Sequence, residues 1–240
     1  MSMMLRMAGT LGQRLEVDPA LVGWWKFDGD LTDASGKGYN GTGVGSPTFT
    51  SGIYGQALSL NGTDQRVDLG VGTIQTALEG APAVTVSAWI YPSLAMGLTA
   101  LKRFVGIPIN GGFVGFEFGV LDKDLRVGGR SASSDGFLSA TATNVVTLGK
   151  WQHVVGILSF ATNRALIYLN GEQILNSSLS FNAENWTNAT VDTESRIGMT
   201  PAIFVARHWH GELDNFMIYN RALSASEIKY VYDTGRPVLK

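Results

Sequence analysis

Apolar and polar side chains alternate strictly along one central segment of the chain. One set comprises Val84, Val86, Ala88 and Ile90, and the other comprises Thr85, Ser87, Trp89 and Tyr91. Because successive side chains of a β-strand point to opposite faces, this pattern predicts a strand with the apolar set on one face and the polar and aromatic set on the other. Pro92 is expected to end the strand, since proline has no N–H for pairing.

Short segments with the same period recur along the chain, separated by glycine, asparagine and aspartate. The segments WQHVVGILSF and RALIYLNGEQIL predict a hairpin over Ala161–Asn163, with a second tight reversal at Asn170–Gly171. The segments GQALSLNG and RVDLG predict another hairpin across Asn61–Gly62. In all, the pattern predicts about 12 to 14 strands.

One helix is expected, close to the C-terminus. Ser224 and Glu227 have the spacing of a capping box, which predicts a helix over residues 225–234. Gly235 is expected to end it. The predicted fold is therefore an all-β sandwich with one short C-terminal helix.

Composition excludes several classes of function. The chain has 240 residues, no cysteine and a net charge of −2. Thiolate nucleophiles, thiolate metal sites and disulfides are therefore excluded. Lysine and arginine are dispersed, so no basic surface for nucleic acid is expected. No stretch of 18 apolar residues occurs, so membrane insertion is not expected either.

Residues 1–20 differ from the rest of the chain. They contain four methionines and no strand alternation. Arg14, Glu16 and Asp18 interrupt the apolar positions, so the segment does not have the apolar run of a secretion signal. We interpret residues 1–20 as an N-terminal arm and residues 21–240 as one domain. The arm is either a disordered tail or a segment that orders against a partner.

An ordered set of motifs extends over about residues 21–235. It includes W-x-H-V at Trp151–Val154, Y-x-N-G at Tyr168–Gly171 and N-R-A-L-S at Asn220–Ser224. In this order the motifs resemble the laminin-G-like domain of the concanavalin A-like lectin/glucanase superfamily. The resemblance implies a jelly roll of two curved antiparallel sheets. It implies no single function, because this fold carries lectins, glycosidases and spacers.

Glycosidases with this fold use an E-x-D-x-x-E pattern on one strand, because two carboxylates must flank the bond that is cleaved. Here Glu212 and Asp214 match the first two positions, and Met217 occupies the third. Without the third acid we expect no enzymatic activity. A glycosidase remains the least favoured of three hypotheses.

A calcium site is the one cofactor that the resemblance implies, since many related domains bind a hard cation near the end of the first strand. Asp28, Asp30, Asp33 and Asn40 occupy one glycine-rich loop, and Asp214 is expected to approach from the closing strands. Calcium takes six to eight oxygen ligands of this kind. The alternative is that these side chains bind only backbone N–H groups in Asx turns.

Tyr91, Trp186 and Trp209 are candidate ligand-binding residues, because sugars stack on exposed ring faces. The leading hypothesis is a phage structural protein on the virion surface, as a decoration or fibre module that also binds glycans. Its expected partners are other coat proteins and itself, as a homotrimer formed through the arm. The alternative is a secreted, extracellular carbohydrate-binding or adhesion module.

Overall fold

The computed structural model describes residues 16–97, 99–109, 112–187, 193–199 and 207–240. Within them, two antiparallel sheets stack face to face. The larger sheet contains β1 (Leu21–Trp25), β3 (Thr48–Ser51), β4 (Gln56–Asn61), β6 (Ala83–Pro92), β11 (Gln152–Ser159), β12 (Arg164–Leu169), β13 (Glu172–Ser178) and β15 (His210–Tyr219). The smaller sheet contains β2 (Thr42–Val44), β5 (Arg66–Val71), β7 (Lys102–Ile109), β8 (Phe113–Leu121), β9 (Asp124–Gly129), β10 (Leu138–Ala142) and β14 (Glu194–Ile197).

Strand order confirms a jelly-roll-like sandwich rather than a row of hairpins. The larger sheet runs β13-β12-β11-β6-β15-β4-β3, and β1 pairs with β15. The smaller sheet runs β10-β9-β8-β7-β14-β5-β2. Strands that are distant in the sequence are therefore neighbours in both sheets, and the buried apolar residues between the sheets form one continuous core.

Both faces of β6 match the alternation in the sequence. Its apolar side chains lie in the core between the sheets; they are Val84, Val86, Ala88 and Ile90. The other set points to what we call the outer face, the side of the larger sheet that is turned away from the smaller sheet. On this face Ser87 hydrogen-bonds His153, and Trp89 and Tyr91 make ring contacts. The strand ends at Pro92, as predicted.

The expected hairpin over Ala161–Asn163 is confirmed by the pairing of β11 with β12. The reversal at Asn170–Gly171 is also confirmed, and both residues have positive φ angles, of 50° and 84°. The expected hairpin across Asn61–Gly62 is wrong. There the chain crosses from β4 in the larger sheet to β5 in the smaller one. An Asn-Gly turn is a local signal, and the sheet that the next strand joins is decided by distant partners.

Two helices occur in the described residues. The short α1 (Thr73–Ala77) was not expected, whereas α2 (Ala225–Thr234) begins and ends as predicted. Ser224 accepts a hydrogen bond from the Glu227 N–H, the Glu227 side chain accepts one from the Ser224 N–H, and Gly235 closes the helix with φ 63°. The apolar side of α2 packs on the outer face, where Ile228 and Val231 join Met217 in a second apolar cluster.

The first described residues pair with the C-terminal residues beside α2. The Glu16 N–H donates to the Lys240 carbonyl at 2.9 Å, and the Lys240 N–H donates back at 2.8 Å. Arg221 binds both Asp18 and Glu227. Residues 16–20 of the expected arm thus contact the C-terminal residues, and residues 1–15 of that arm lie outside the described residues.

Ser224→Ala should lower the free energy of unfolding by about 1 kcal/mol, because the helix loses its capping hydroxyl. Urea denaturation followed by circular dichroism measures the change. Ser180→Ala is the matched control, since Ser180 is an exposed serine outside both helices. Equal stability of the two variants would contradict the role of the capping box.

Candidate functional site

Part of the outer face is covered by α2, and an aromatic cluster borders the covered part. Trp89 stacks on Tyr232 of the helix, with ring centroids 5.5 Å apart and an interplanar angle of 24°. His153 and Tyr54 contact the same indole, at 5.3 Å and 6.4 Å. The cluster therefore joins the helix, β6, β11 and the turn between β3 and β4.

His153 within this cluster is a structural residue. It is fully buried, and burial lowers its pKa to about 3, so the imidazole is neutral at physiological pH. Its Nε2 atom lies 2.9 Å from the Ser87 hydroxyl. Both side chains are buried, so this pair is closed to any substrate.

Beyond the aromatic cluster, the outer face is open and forms a cavity of about 210 Å³. We call it the Tyr91 pocket; it is lined by Thr50, Ser51, Tyr91, Trp151 and Glu212. Strand register explains the grouping. Tyr91 pairs with Glu212 across β6 and β15, and Trp151 directly precedes the residue that pairs with Ile90. Five residues from four separate segments thus meet at one end of the sheet.

Tyr91 and Trp151 form the aromatic wall of the pocket. Their ring centroids are 5.6 Å apart and the rings are inclined by 58°. Both side chains are partly exposed. Two inclined rings present faces in different directions, so together they can contact an apolar surface such as one side of a sugar ring.

Glu212 supplies the acidic group of the pocket. Burial raises the pKa of its carboxyl. Its Oε2 atom is buried and has no hydrogen-bond partner among the described residues. A buried carboxylate oxygen without a donor is costly, which makes Glu212 the side chain of this pocket that most needs an external partner.

The strand that carries Glu212 does not carry the residues for glycoside hydrolysis. Asp214 lies two residues further on β15, with both oxygens engaged: Oδ2 accepts from the N–H groups of Ile53 and Tyr54, and Oδ1 accepts from Asn215. The pairing of β15 with β6 then shifts, and Met217 is buried beneath α2. The position of the third acid therefore holds an apolar side chain inside an apolar cluster.

Asp33 is committed to the backbone. It is buried, and its carboxylate accepts hydrogen bonds from the N–H groups of Trp24, Ser35 and Tyr39 and from the Ser35 hydroxyl. Asn40 accepts from the Asp33 N–H at 2.9 Å. These contacts fold the loop around Asp33, which is the Asx-turn alternative rather than a metal ligand.

Asp30 is likewise a turn residue, since its Oδ1 accepts from the Thr32 N–H at 2.9 Å. The described residues contain no group of three or more histidine or acidic side chains that could hold a metal. The expected set of five calcium ligands is therefore not assembled. Its oxygens are distributed over separate turns: Asp33 accepts from N–H and hydroxyl donors, Asp30 accepts from its own turn, and Asp28 pairs with Lys26.

Among the acidic side chains of this set, Asp28 and Asp214 are brought close together, on either side of the turn at residues 52–55. Asp28 accepts from the Gln56 N–H at 2.9 Å, and Gly55, with φ 74°, leaves no room for a Cβ beside that carboxylate. Burial, the larger cause, and the negative charge of Asp28 together raise the pKa of Asp214 to about 6, against the opposing effect of the hydrogen bonds from Tyr54 and Ile53. A cation between these carboxylates would relieve their repulsion.

Two of the three expected ligand-binding aromatics are core residues, so those predictions are wrong. Trp186 and Trp209 are fully buried. Trp186 packs against Phe160 with centroids 6.1 Å apart, and Trp209 packs edge-on against Phe104 at 5.4 Å. Neither ring has a face open to a ligand. Of the three, only Tyr91 lies at an accessible site.

The sequence reasoning missed Trp151 as a pocket residue and treated Glu212 only as part of a catalytic pattern. Trp151 stands in the W-x-H-V motif, but nothing local places it beside Tyr91. The pairing of β11 with β6 does so, across about sixty residues of sequence. Trp186 was expected to have an exposed ring, and nothing local in the sequence indicates that it packs against Phe160.

Comparison with known proteins agrees with this architecture. Among curated proteins, no sequence matches this chain. Domain 4 of AbnA, an extracellular GH43 arabinanase from Geobacillus stearothermophilus, solved in complex with arabinotriose, has 21% identity and a TM-score of 0.66 over 88% of this chain and 98% of its own. The receptor binding domain of botulinum neurotoxin C/D mosaic serotype has 15% identity and a TM-score of 0.67, over 89% of this chain and 51% of its own.

The binding domain of botulinum neurotoxin DC, solved in complex with rat synaptotagmin II, has 14% identity and a TM-score of 0.65 over 92% of this chain and 53% of its own. This chain thus corresponds to about half of the toxin domains, and at these identities the likeness shows the fold. The Laminin_G_3 family model matches residues 61–229. The chain belongs to this laminin-G-like family of the concanavalin A-like lectin/glucanases superfamily.

Proposed function

We propose that this protein is a non-enzymatic binding module that holds glycans in the Tyr91 pocket. The observation that carries the proposal is the aromatic wall of Tyr91 and Trp151 beside the carboxylate of Glu212 and the hydroxyl residues Thr50 and Ser51. Sugar rings have apolar C–H faces and polar edges, so an aromatic wall with hydrogen-bonding groups beside it suits them.

The similar structures support a role in recognition. The arabinanase domain was solved with arabinotriose, and the toxin domains are named for binding and for receptors. The lack of an acid at Met217 supports the non-enzymatic part, because two carboxylates flanking a glycosidic bond need that position on this strand. The virion surface, the homotrimer and the extracellular alternative stay predictions from the sequence. In the described part of the chain, no helix has the length and apolar character needed to cross a membrane.

Trp151→Ala and Tyr91→Ala should each weaken oligosaccharide binding about tenfold, which corresponds to about 1.4 kcal/mol. Each variant removes one ring of the aromatic wall. Isothermal titration calorimetry with arabinotriose, cellotetraose, xylotetraose, tetra-N-acetylchitotetraose and chitotetraose measures the affinities. Phe113→Ala is the matched control, because Phe113 is an exposed aromatic on the smaller sheet. The proposal would be contradicted if Phe113→Ala lost sugar binding while Trp151→Ala and Tyr91→Ala kept it. It would also be contradicted if none of these sugars bound the wild-type protein.

We also propose that any calcium is held at Asp28 and Asp214 rather than by the five residues expected from the sequence. Added calcium should then raise the melting temperature of the EDTA-treated protein. At a calcium concentration one hundred times the dissociation constant, the free energy of unfolding should rise by about 2.7 kcal/mol. Asp28→Asn should abolish this response. Asp30→Asn should keep it, since Asp30 serves only its own turn. A melting temperature that is the same in EDTA and in calcium would exclude the site.

Asp214 should also give the calcium-free protein a distinct pH dependence. Its folded pKa of about 6 lies above the usual value of about 3.9 for aspartate, so the folded state binds this proton more tightly than the unfolded state. The contribution of Asp214 to the free energy of unfolding should therefore increase as the pH falls from above 6 to about 4. Urea denaturation in EDTA measures it as the difference between wild type and Asp214→Asn. Parallel pH profiles for the two proteins would contradict the raised pKa.

A further inference from the structure

Glu212 has no positive partner among the described residues. No described lysine, arginine or histidine forms an ion pair with it or with Asp214. The two carboxylates lie two residues apart on β15 and therefore on the same face of the sheet. Asp28 also lies near Asp214, and its own charge is paired with Lys26 at 3.5 Å. This end of the outer face is thus acidic, and the carboxylate in the pocket is uncompensated by the rest of the fold.

The hydrogen-bonding state of Glu212 narrows the choice of ligand group. The Glu212 carboxyl lines the pocket, and its Oε2 has no donor among the described residues, so a ligand group that brings an N–H or an O–H suits it best. A quaternary ammonium has no such hydrogen. A hydroxyl supplies the hydrogen but leaves the charge uncompensated, whereas a primary ammonium supplies both. Hydrogen bonds between two charged groups are roughly twice as strong as neutral ones.

The aromatic wall favours the same group. The faces of tyrosine and tryptophan rings attract a cation that approaches within about 6 Å. Tyr91 and Trp151 stand beside Glu212 in one cavity of about 210 Å³. A positive charge on a sugar ring could therefore contact the carboxylate while the ring carbons contact the aromatic faces.

We infer that the Tyr91 pocket selects glycans that carry a free primary amine, with the ammonium group of a hexosamine paired to Glu212. The inference rests on the proposed glycan-binding function and adds the chemical class of the sugar. N-acetylation of the amine should weaken binding, because it removes the charge and adds an acetyl group to a small cavity.

Three tetrasaccharides of similar length test the selectivity on the wild-type protein. Chitotetraose carries free amines, tetra-N-acetylchitotetraose carries acetylated ones, and cellotetraose carries hydroxyl groups at the same positions. At a pH below the pKa of the amine, calorimetry should show chitotetraose binding about tenfold more tightly than the other two. This comparison needs no variant, so it does not depend on how well a substituted protein folds.

Glu212→Gln should lower the affinity for chitotetraose to the level of cellotetraose and leave cellotetraose binding within about twofold. Glu172→Gln is the matched control, because Glu172 is an exposed acid at the start of β13 in the same sheet. The control should bind all three sugars as wild type does. Raised salt should weaken chitotetraose binding alone, since only that contact pairs two charges.

Failure of the amine selectivity and failure of the glycan-binding function would give different results. Equal binding of the three sugars, unaffected by Glu212→Gln, would overturn the amine selectivity and leave the glycan-binding function standing. No binding of any sugar would overturn both. Nα-acetyl-lysine amide serves as a further arm. If it binds as tightly as chitotetraose and is displaced by it, the pocket recognises the amine of a peptide equally well, and the assignment to hexosamine would be wrong.

Discussion

The alternation of side chains along β6 is the constraint on which the rest of the structure depends. This strand lies between β11 and β15 in the middle of the larger sheet. Its inward residues help to form the core, and its outward residues carry the aromatic cluster and the wall of the Tyr91 pocket. A shift of one residue in register would move every inward side chain outward. The register that buries the core therefore also places Tyr91 beside Trp151 and Glu212.

On the outer face, the part that α2 covers stabilises the fold, and the part next to it is open to a ligand. Where α2 covers the sheet, Met217 and Tyr219 are buried with Ile228 and Val231. Trp89, stacked on Tyr232, marks the edge of that cover. Glu212 lies beyond the edge. Strand β15 runs from the open part of the outer face to the part beneath α2. Its outward residues accordingly change from the acidic Glu212 and Asp214 to Met217 and Tyr219, which are buried in the apolar cluster.

Local patterns in the sequence were sufficient for local structure. The faces of β6, the turn at Asn170–Gly171 and the capping box at Ser224 each depend on residues that are close in the chain, and each is confirmed. The crossing at Asn61–Gly62 and the burial of Trp186 depend on contacts between distant segments. The Tyr91 pocket depends on them as well, so its membership could not be derived from spacing alone.

The acidic loop shows a different limit of sequence reasoning. Aspartate and asparagine oxygens can bind calcium or accept from backbone N–H groups, and both uses occur in glycine-rich turns. Asp33 accepts from the Trp24 N–H of β1, and from two N–H groups and one hydroxyl of its own loop. Asp214 reaches across to a different turn and stays close to Asp28. The composition of the loop predicted that oxygen ligands are present, whereas the fold decides which of them lie close enough together to bind one cation.

Nuclear magnetic resonance of the tryptophan indole N–H groups tests the location of the binding site most directly. The chain has six tryptophans, at positions that range from fully buried to partly exposed. On addition of chitotetraose to the ¹⁵N-labelled protein, the signal of Trp151 should shift, and the signals of the buried Trp25, Trp186 and Trp209 should stay in place. The absence of the signal in Trp151→Phe assigns it. A bound sugar that leaves the Trp151 signal unchanged would contradict a binding site in the Tyr91 pocket.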